Sequence, residues 1–194
     1  MAAQPRGYRR KNSMRHPTYD YTLAGAYFVT ICVRNGRCVF GQIADAHIAL
    51  TPLGHIAVAC WLDFAARHPE VKIDQFVVMP NHDHVLLWLR QDLDLASSTE
   101  AAPERAFGHT TAGSLSTLIG AYKGSVTHRA GNRGMLTTQP LWQRDFWDRI
   151  VATEDALHRI RQYIQNNPIH WIDDKLHPDA PPNQYNQAWN SDKP

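Results

Sequence analysis

The stretch MPNHDHVLLWL, Met79 to Leu89, constrains the fold more than any other part of the chain. Its right half is apolar enough for a buried strand, and the run before it, VKIDQFVVM, reads as another. Pro80-Asn81 between them forms a tight connection, so the two strands are expected to pair antiparallel. The second strand opens with His82 and His84. Side chains alternate faces along a strand, so both imidazoles leave the sheet on the same side. Two neutral imidazoles on a rigid strand make half of a divalent-metal site. A lone pair of this kind is also satisfied by hydrogen bonds at a strand end, so the reading depends on what else the chain brings to that face.

Upstream, AYFVTICV within Tyr21–Arg34 is a β-branched and aromatic run, punctuated by Gly25 and Asn35-Gly36, and predicts a buried strand. Short pairing segments follow around Cys38–Ile43 and Ala46–Leu50. Thr51-Pro52 then makes an N-cap and first helical turn. Behind it Ile56, Ala59, Cys60, Asp63 and Phe64 recur at helical spacing, and the helix stops before Pro69. Residues 91–112 shift to Asp, Ser, Ala, Pro, Glu and Gly, predicting a flexible loop. Ser114–Arg129 predicts a second helix with Leu115, Leu118, Ile119, Tyr122 and Val126 as its apolar stripe. Pro140–Val151 reads as a strand with its flanking loop. Thr153 caps a third helix whose first turn carries Glu154 and Asp155, where the dipole favours acids. Leu157, Ile160 and Ile164 form its core stripe, and Pro168 ends it near Asn167.

The order strand, helix, strand, strand, helix, strand matches the split βαβ pattern. The fold class is therefore α+β: a ferredoxin-like antiparallel sheet with helices on one face, plus a C-terminal helix carrying Tyr163. Residues 1–18 form a basic arm, 19–172 the domain and 173–194 a polar, Pro-containing tail.

At 194 residues and 43% hydrophobic, the chain can bury one good-sized core. The start, MAAQPRGYRRKN, carries charges where a signal peptide needs its apolar segment, and no apolar run nears membrane-spanning length. Cys32, Cys38 and Cys60 are odd in number and lack a CxxC spacing, which fits reduced thiols in a cytosolic protein. The net charge of +2 is small, but Arg6, Arg9, Arg10, Lys11 and Arg15 all precede the first acid, Asp20. Such an arm suits contact with phosphates and equally suits a solubilising terminus.

Tyr163 and Asn167 lie four residues apart on the third helix, hence on one face, displaced from the apolar stripe. Alone, the tyrosine fits a partly buried core aromatic and the asparagine a C-cap. With His82 and His84 they suggest another use: two imidazoles and an amide oxygen can hold a divalent ion, leaving a phenol beside it as nucleophile.

Four blocks carry a wider resemblance: YDYTLAGAYFVTICVRN with VFG, FVVMPNHDHVLLW, LSTLIGAYKGSVTHR, and LWQRDFWDRIV followed by RIRQYIQNNPIHW. From Tyr19 to about Pro178 the chain resembles the REP-associated tyrosine transposases of the single-tyrosine HUH superfamily. The resemblance implies Mg²⁺ or Mn²⁺ held by His82, His84 and Asn167, with Tyr163 as the nucleophile. It also implies a bacterial, cytoplasmic, nucleoid-associated protein that nicks and rejoins single-stranded DNA near palindromic hairpins through a 5′-phosphotyrosine. Candidate phosphate contacts are Arg9, Arg10, Lys11, Lys123, Arg129 and Arg144, and candidate stacking residues are Trp142, Phe146 and Trp147. The sequence leaves monomer and homodimer both open.

One departure stands out. The middle residue of the HUH motif is normally hydrophobic, and here it is Asp83. Alternation turns it away from the metal, where it is expected to reach solvent or pair with a base. Asp83 also motivates the alternative, an inactive hairpin DNA- or RNA-binding protein on the same fold. A further alternative is a small metallophosphoesterase.

Overall fold

The computed structural model describes residues 23–90 and 113–186. The basic arm with Arg9, Arg10 and Lys11, the expected loop 91–112 and the last residues of the tail lie outside the described residues. The chain runs β1 (Gly25–Cys32), β2 (Gly41–Ala44), β3 (His47–Leu50), α1 (Pro52–Arg67), β4 (Val71–Val78), β5 (His82–Leu89), α2 (Leu115–Gly131), β6 (Trp147–Val151) and α3 (Glu154–Asn166). Four strands form one antiparallel sheet in the order β4-β5-β1-β6, and β2 and β3 make a separate hairpin. This is the ferredoxin-like arrangement expected from the element order.

Each helix begins where the sequence predicts. Thr51 Oγ1 accepts from the Gly54 amide at 3.1 Å, Ser114 Oγ from Thr117 at 3.4 Å, and Thr153 Oγ1 from Ala156 at 3.2 Å. These bonds satisfy amides that a helix start otherwise leaves open. Asp45 and Ala46, both at positive φ, turn the β2–β3 hairpin.

The period-two alternation divides the apolar residues between two layers. Tyr27, Val29 and Ile31 of β1 and Val85, Leu87 and Leu89 of β5 meet Ile56, Cys60, Trp61 and Phe64 of α1 and Leu118, Ile119, Tyr122 and Val126 of α2. Ala26 and Leu86, on the opposite face, meet Leu157, Ile160 and Ile164 of α3. The third helix therefore packs on the sheet face that the first two leave free. In α1 the buried stripe includes Ala57 and Trp61, whereas Asp63, expected on it, is exposed. Residues 174–186 turn back across the end of the sheet, where Leu176 packs against Cys32, Trp147 and Tyr185. Among the described residues no helix is long and apolar enough to cross a membrane.

Candidate active site

The register of the central strands builds the site. β5 pairs with β1 so that His84 lies opposite Thr30 and His82 opposite Cys32. Both imidazoles are buried on the α3 side of the sheet, and their Nε2 atoms stand 3.0 Å apart. Each Nδ1 is held from behind, His82 by Asn81 Oδ1 at 2.8 Å and His84 by Thr30 Oγ1 at 2.9 Å. The Asn81 amide nitrogen donates to Gly36 O at 3.1 Å and Leu176 O at 2.7 Å. Its oxygen is thereby left to accept from His82 Nδ1–H, and this network assigns the tautomer whose Nε2 lone pair faces the cleft. Burial pushes the His82 imidazole down to about 3. Burial also holds His84 well below its ordinary value, aided by the neighbouring His82 and opposed by Asp174. Both rings are neutral at physiological pH, the form that binds metals.

Asp174 completes the cluster. One ligand atom from each of His82, His84 and Asp174 lies within 4.8 Å of the others. The carboxylate accepts from the Leu176 amide at 2.6 Å and from Asn167 Nδ2 at 3.3 Å. Sequence reasoning missed Asp174, because it sits in a polar segment beyond α3 and no spacing ties it to β5. Asn167 is buried and keeps helical dihedrals (φ −57°, ψ −42°) despite Pro168, so its side chain stays a turn beyond Tyr163. Its Oδ1 has no hydrogen-bond partner among the described residues. Two converging imidazole nitrogens, a carboxylate and an orphaned amide oxygen fit the demands of a divalent cation.

Tyr163 is 45% exposed, which is not the state of a core aromatic. Its hydroxyl lies 3.2 Å from His84 Nε2. The ring meets Phe28 edge-on at 5.9 Å, and Phe28 stacks on His84 at 5.2 Å. Burial around the phenol, followed by the Asp174 charge, holds Tyr163 above its ordinary pKa.

A cavity of about 1010 Å³ opens beside Tyr163. Arg149, Arg159, Lys175, Trp147 and Tyr185 are among its lining residues. Arg159 precedes Tyr163 by four residues, a helical spacing from which it was legible; Arg149 reaches the same face only through its register opposite Phe28.

Several expectations differ from what the structure shows. Asp83 does face away from the histidines, but it neither reaches solvent nor meets a base. It is fully buried, and its Oδ2 accepts from Tyr122 Oη at 2.5 Å and from Trp61 Nε1 at 3.4 Å. Burial raises this carboxyl to about 7, with the two donors opposing the shift. A phenol and an indole stacked at 3.7 Å donate to the carboxyl where a base was expected. Lys123 is not free to meet a phosphate. Its ammonium donates to the carbonyls of Gln143 (2.7 Å), Arg144 (3.2 Å) and Asp145 (3.2 Å), bracing the loop before β6. Arg129 is engaged with Asp63 at 2.7 Å on the surface, whereas Arg144 is exposed. Trp142 belongs to the core beside Phe40 and Tyr122, and Phe146 packs against that core. Trp147 alone of the three expected stacking residues lines the cavity.

No family model matches the chain. An uncharacterized protein of Haemophilus influenzae is 32% identical over 179 residues, spanning 89% of this chain and 96% of that protein. The chain belongs to the same family as that protein. Among solved structures, a REP-associated tyrosine transposase bound to a REP hairpin aligns with a TM-score of 0.55 at 22% identity, over 81% of this chain and 74% of the other. The two share a fold, which agrees with the resemblance carried by the four sequence blocks. A proposed transposase from Deinococcus radiodurans aligns with a TM-score of 0.44 at 18% identity, over 78% and 95% of the two chains.

Proposed function

We propose that this chain is a metal-dependent endonuclease and transposase of single-stranded DNA, nicking and rejoining strands near palindromic hairpins through a phosphodiester to Tyr163. One contact carries the reading: the hydroxyl of half-exposed Tyr163 stands 3.2 Å from His84 Nε2, beside the point where His82, His84 and Asp174 converge. A tyrosine used only for packing gains nothing from that position.

In the nicking step the Tyr163 Oη–P bond forms and the P–O3′ bond breaks. The phenol loses its proton, the 3′-oxygen takes one up as it leaves, and the DNA stays attached through its 5′ phosphate. One phosphodiester replaces another, so no ATP is consumed, and attack by a 3′-hydroxyl rejoins the strand. A free phenol with a pKa of about 10 is a poor nucleophile at neutral pH. A divalent cation, Mg²⁺ or Mn²⁺, would offset charge on the phosphate and favour the phenolate that burial and Asp174 now oppose. His82 Nε2, His84 Nε2 and an Asp174 oxygen would hold it, with Asn167 Oδ1 as a further donor. Asn81 and Thr30 orient the two imidazoles, and Phe28 braces both His84 and Tyr163. Arg149, Arg159 and Lys175 supply the positive lining that successive phosphates require, and Trp147 a face for a base. Arg144 and the arm residues Arg9, Arg10 and Lys11 are further candidates for phosphate contact. The solved structure that shares this fold holds a REP hairpin, and a hairpin-flanked single strand is the ligand we assign here, in a bacterial cytoplasm near the nucleoid.

Incubation with hairpin-flanked single strands and Mn²⁺ is expected to give a protein–DNA adduct stable to denaturation, with mass spectrometry locating it on Tyr163. Tyr163→Phe keeps the ring and should lose both adduct and cleavage while still binding the hairpin. Cleavage without an adduct would instead make the protein a phosphoesterase. Hairpin binding with no cleavage would make it a binding protein on the same fold.

A further inference from the structure

The alternation along β4 breaks once, and the break is tied to the tyrosine helix. Ile73, Phe76 and Val78 all turn toward the α1–α2 core, a spacing that a two-residue period cannot give between 73 and 76. The pairing with β5 passes from Ile73 opposite Leu87 to Gln75 opposite Leu86, skipping Asp74. A bulge adds one residue, which drops out of the ladder. That residue is Asp74, which alternation from Val71 and Ile73 turns to the α3 side of the sheet, where three donors meet it. Arg161 Nε donates to Oδ1 at 2.9 Å and Nη2 to Oδ2 at 2.7 Å, while Trp88 Nε1 donates to Oδ2 at 3.0 Å. The Asp74 side chain is only 12% exposed and that of Arg161 35%. The guanidinium holds the Asp74 carboxyl below its ordinary pKa, against burial and with help from Trp88, so the pair is charged at neutral pH.

Arg161 and Tyr163 flank the same seam. Two residues along an α-helix are roughly 160° apart around its axis. The seam between them is Leu157, Ile160 and Ile164, an apolar contact that has no preferred direction of its own. A bidentate fork does have one, since two parallel N–H···O bonds fix both roll and axial position. We propose that the Asp74–Arg161 fork is the positioning device for Tyr163: it sets the roll of α3, and so where the phenol stands against His84. Neither residue touches the cluster of His82, His84 and Asp174. This inference rests on the reading of Tyr163 as nucleophile.

The test uses the full chain with Arg161→Lys, Arg161→Ala and Asp74→Asn, and two readouts. One is the single-turnover rate of adduct formation with saturating hairpin-flanked DNA and Mn²⁺. The other is the ¹⁹F resonance of 3-fluorotyrosine placed at position 163, which does not depend on cleavage. All three variants should lose about 10²-fold in rate, the scale expected of a misplaced reacting group, with hairpin and Mn²⁺ affinities unchanged. The ¹⁹F line should shift or broaden in each. Arg161→Lys decides whether shape or charge matters: a wild-type rate there would sink the claim. So would a rate loss with an unaltered ¹⁹F line and weakened DNA affinity, which would make Arg161 a DNA contact. If the wild type forms no adduct, the nucleophile reading fails by itself, and the ¹⁹F comparison still judges the fork.

Discussion

The two faces of β5 carry acidic and basic groups one residue apart, and they use them oppositely. On the α3 face, His82 and His84 are anchored at Nδ1 by Asn81 and Thr30, and their Nε2 atoms point together toward Asp174 and Tyr163. On the α1–α2 face, Asp83 is sealed in the apolar core, where its Oδ2 accepts from Tyr122 and Trp61 and its Oδ1 has no hydrogen-bond partner among the described residues. The first face gathers its groups around one point beside Tyr163; the second uses its polar contacts to knit α1 and α2 to the sheet. A one-residue step along a strand thus separates chemistry from architecture, and substitutions on either side of that step should fail in different ways.

The largest expected effect is on the α3 face. His82→Ala or His84→Ala should cut cleavage by at least about 10²-fold while the protein still folds, because each removes a lone pair from the cluster and not a piece of the core. Cleavage at the wild-type rate with Mg²⁺ in either variant would dissolve the distinction between the faces.

Next in size is the choice of the remaining ligand. Titration calorimetry with Mn²⁺ should show Asp174→Asn losing more affinity than Asn167→Leu. The asparagine, acting partly through its bond to Asp174, should cost about 10-fold. The reverse order would return Asn167 to the primary role that the resemblance implies and make Asp174 its support.

Smaller again is the opposite face. Asp83→Leu restores the hydrophobic residue usual in the motif but leaves the Tyr122 hydroxyl and Trp61 N–H without their shared acceptor. Denaturant unfolding should show a loss of about 2 kcal/mol, the cost of stranding buried donors. The adduct should still form at close to the wild-type rate. An adduct yield that falls in step with stability would show that the two faces are not independent.

How much of this was legible in the sequence follows the same division. Local signals survived intact: the caps Thr51, Ser114 and Thr153, the alternation that puts His82 and His84 on one face, and the helical spacing that stacks Asn167 beyond Tyr163. What failed was long-range. Asp174 reaches the histidines only because residues 174–186 fold back across the sheet, and no periodicity reports that. Lys123 reads as a free cation on a helix surface, yet the loop it braces lies 20 to 22 residues away. Asp83 looks like a misfit until Trp61 and Tyr122, which sequence reasoning could assign only as apolar stripe or not at all, are seen to converge on it. Tyr122 and Trp61 hold Asp83 where it stands, so its presence in the motif does not by itself mark an inactive relic.

The last test is also the sharpest, because in the metal-free protein the two faces should titrate in opposite directions. His82 is held down to about 3 and His84 well below its ordinary value, so between about pH 6.5 and the folded values the unfolded chain binds more protons at these sites. Stability there rises with pH. Asp83 is raised from 3.8 to about 7, so across that interval the folded chain keeps a proton that the unfolded chain has lost. Its contribution falls as pH rises through the same window and is fully spent above about 7. In the wild type the slopes partly cancel. Asp83→Asn cannot titrate and keeps an acceptor for Tyr122 and Trp61, so its stability should climb more steeply between pH 4 and 6.5 than that of the wild type. Melting temperatures of both proteins, measured across that range with a chelator present, decide the matter. Parallel curves would mean that Asp83 is already ionised in the folded protein, and that its burial is compensated by something other than the phenol and the indole.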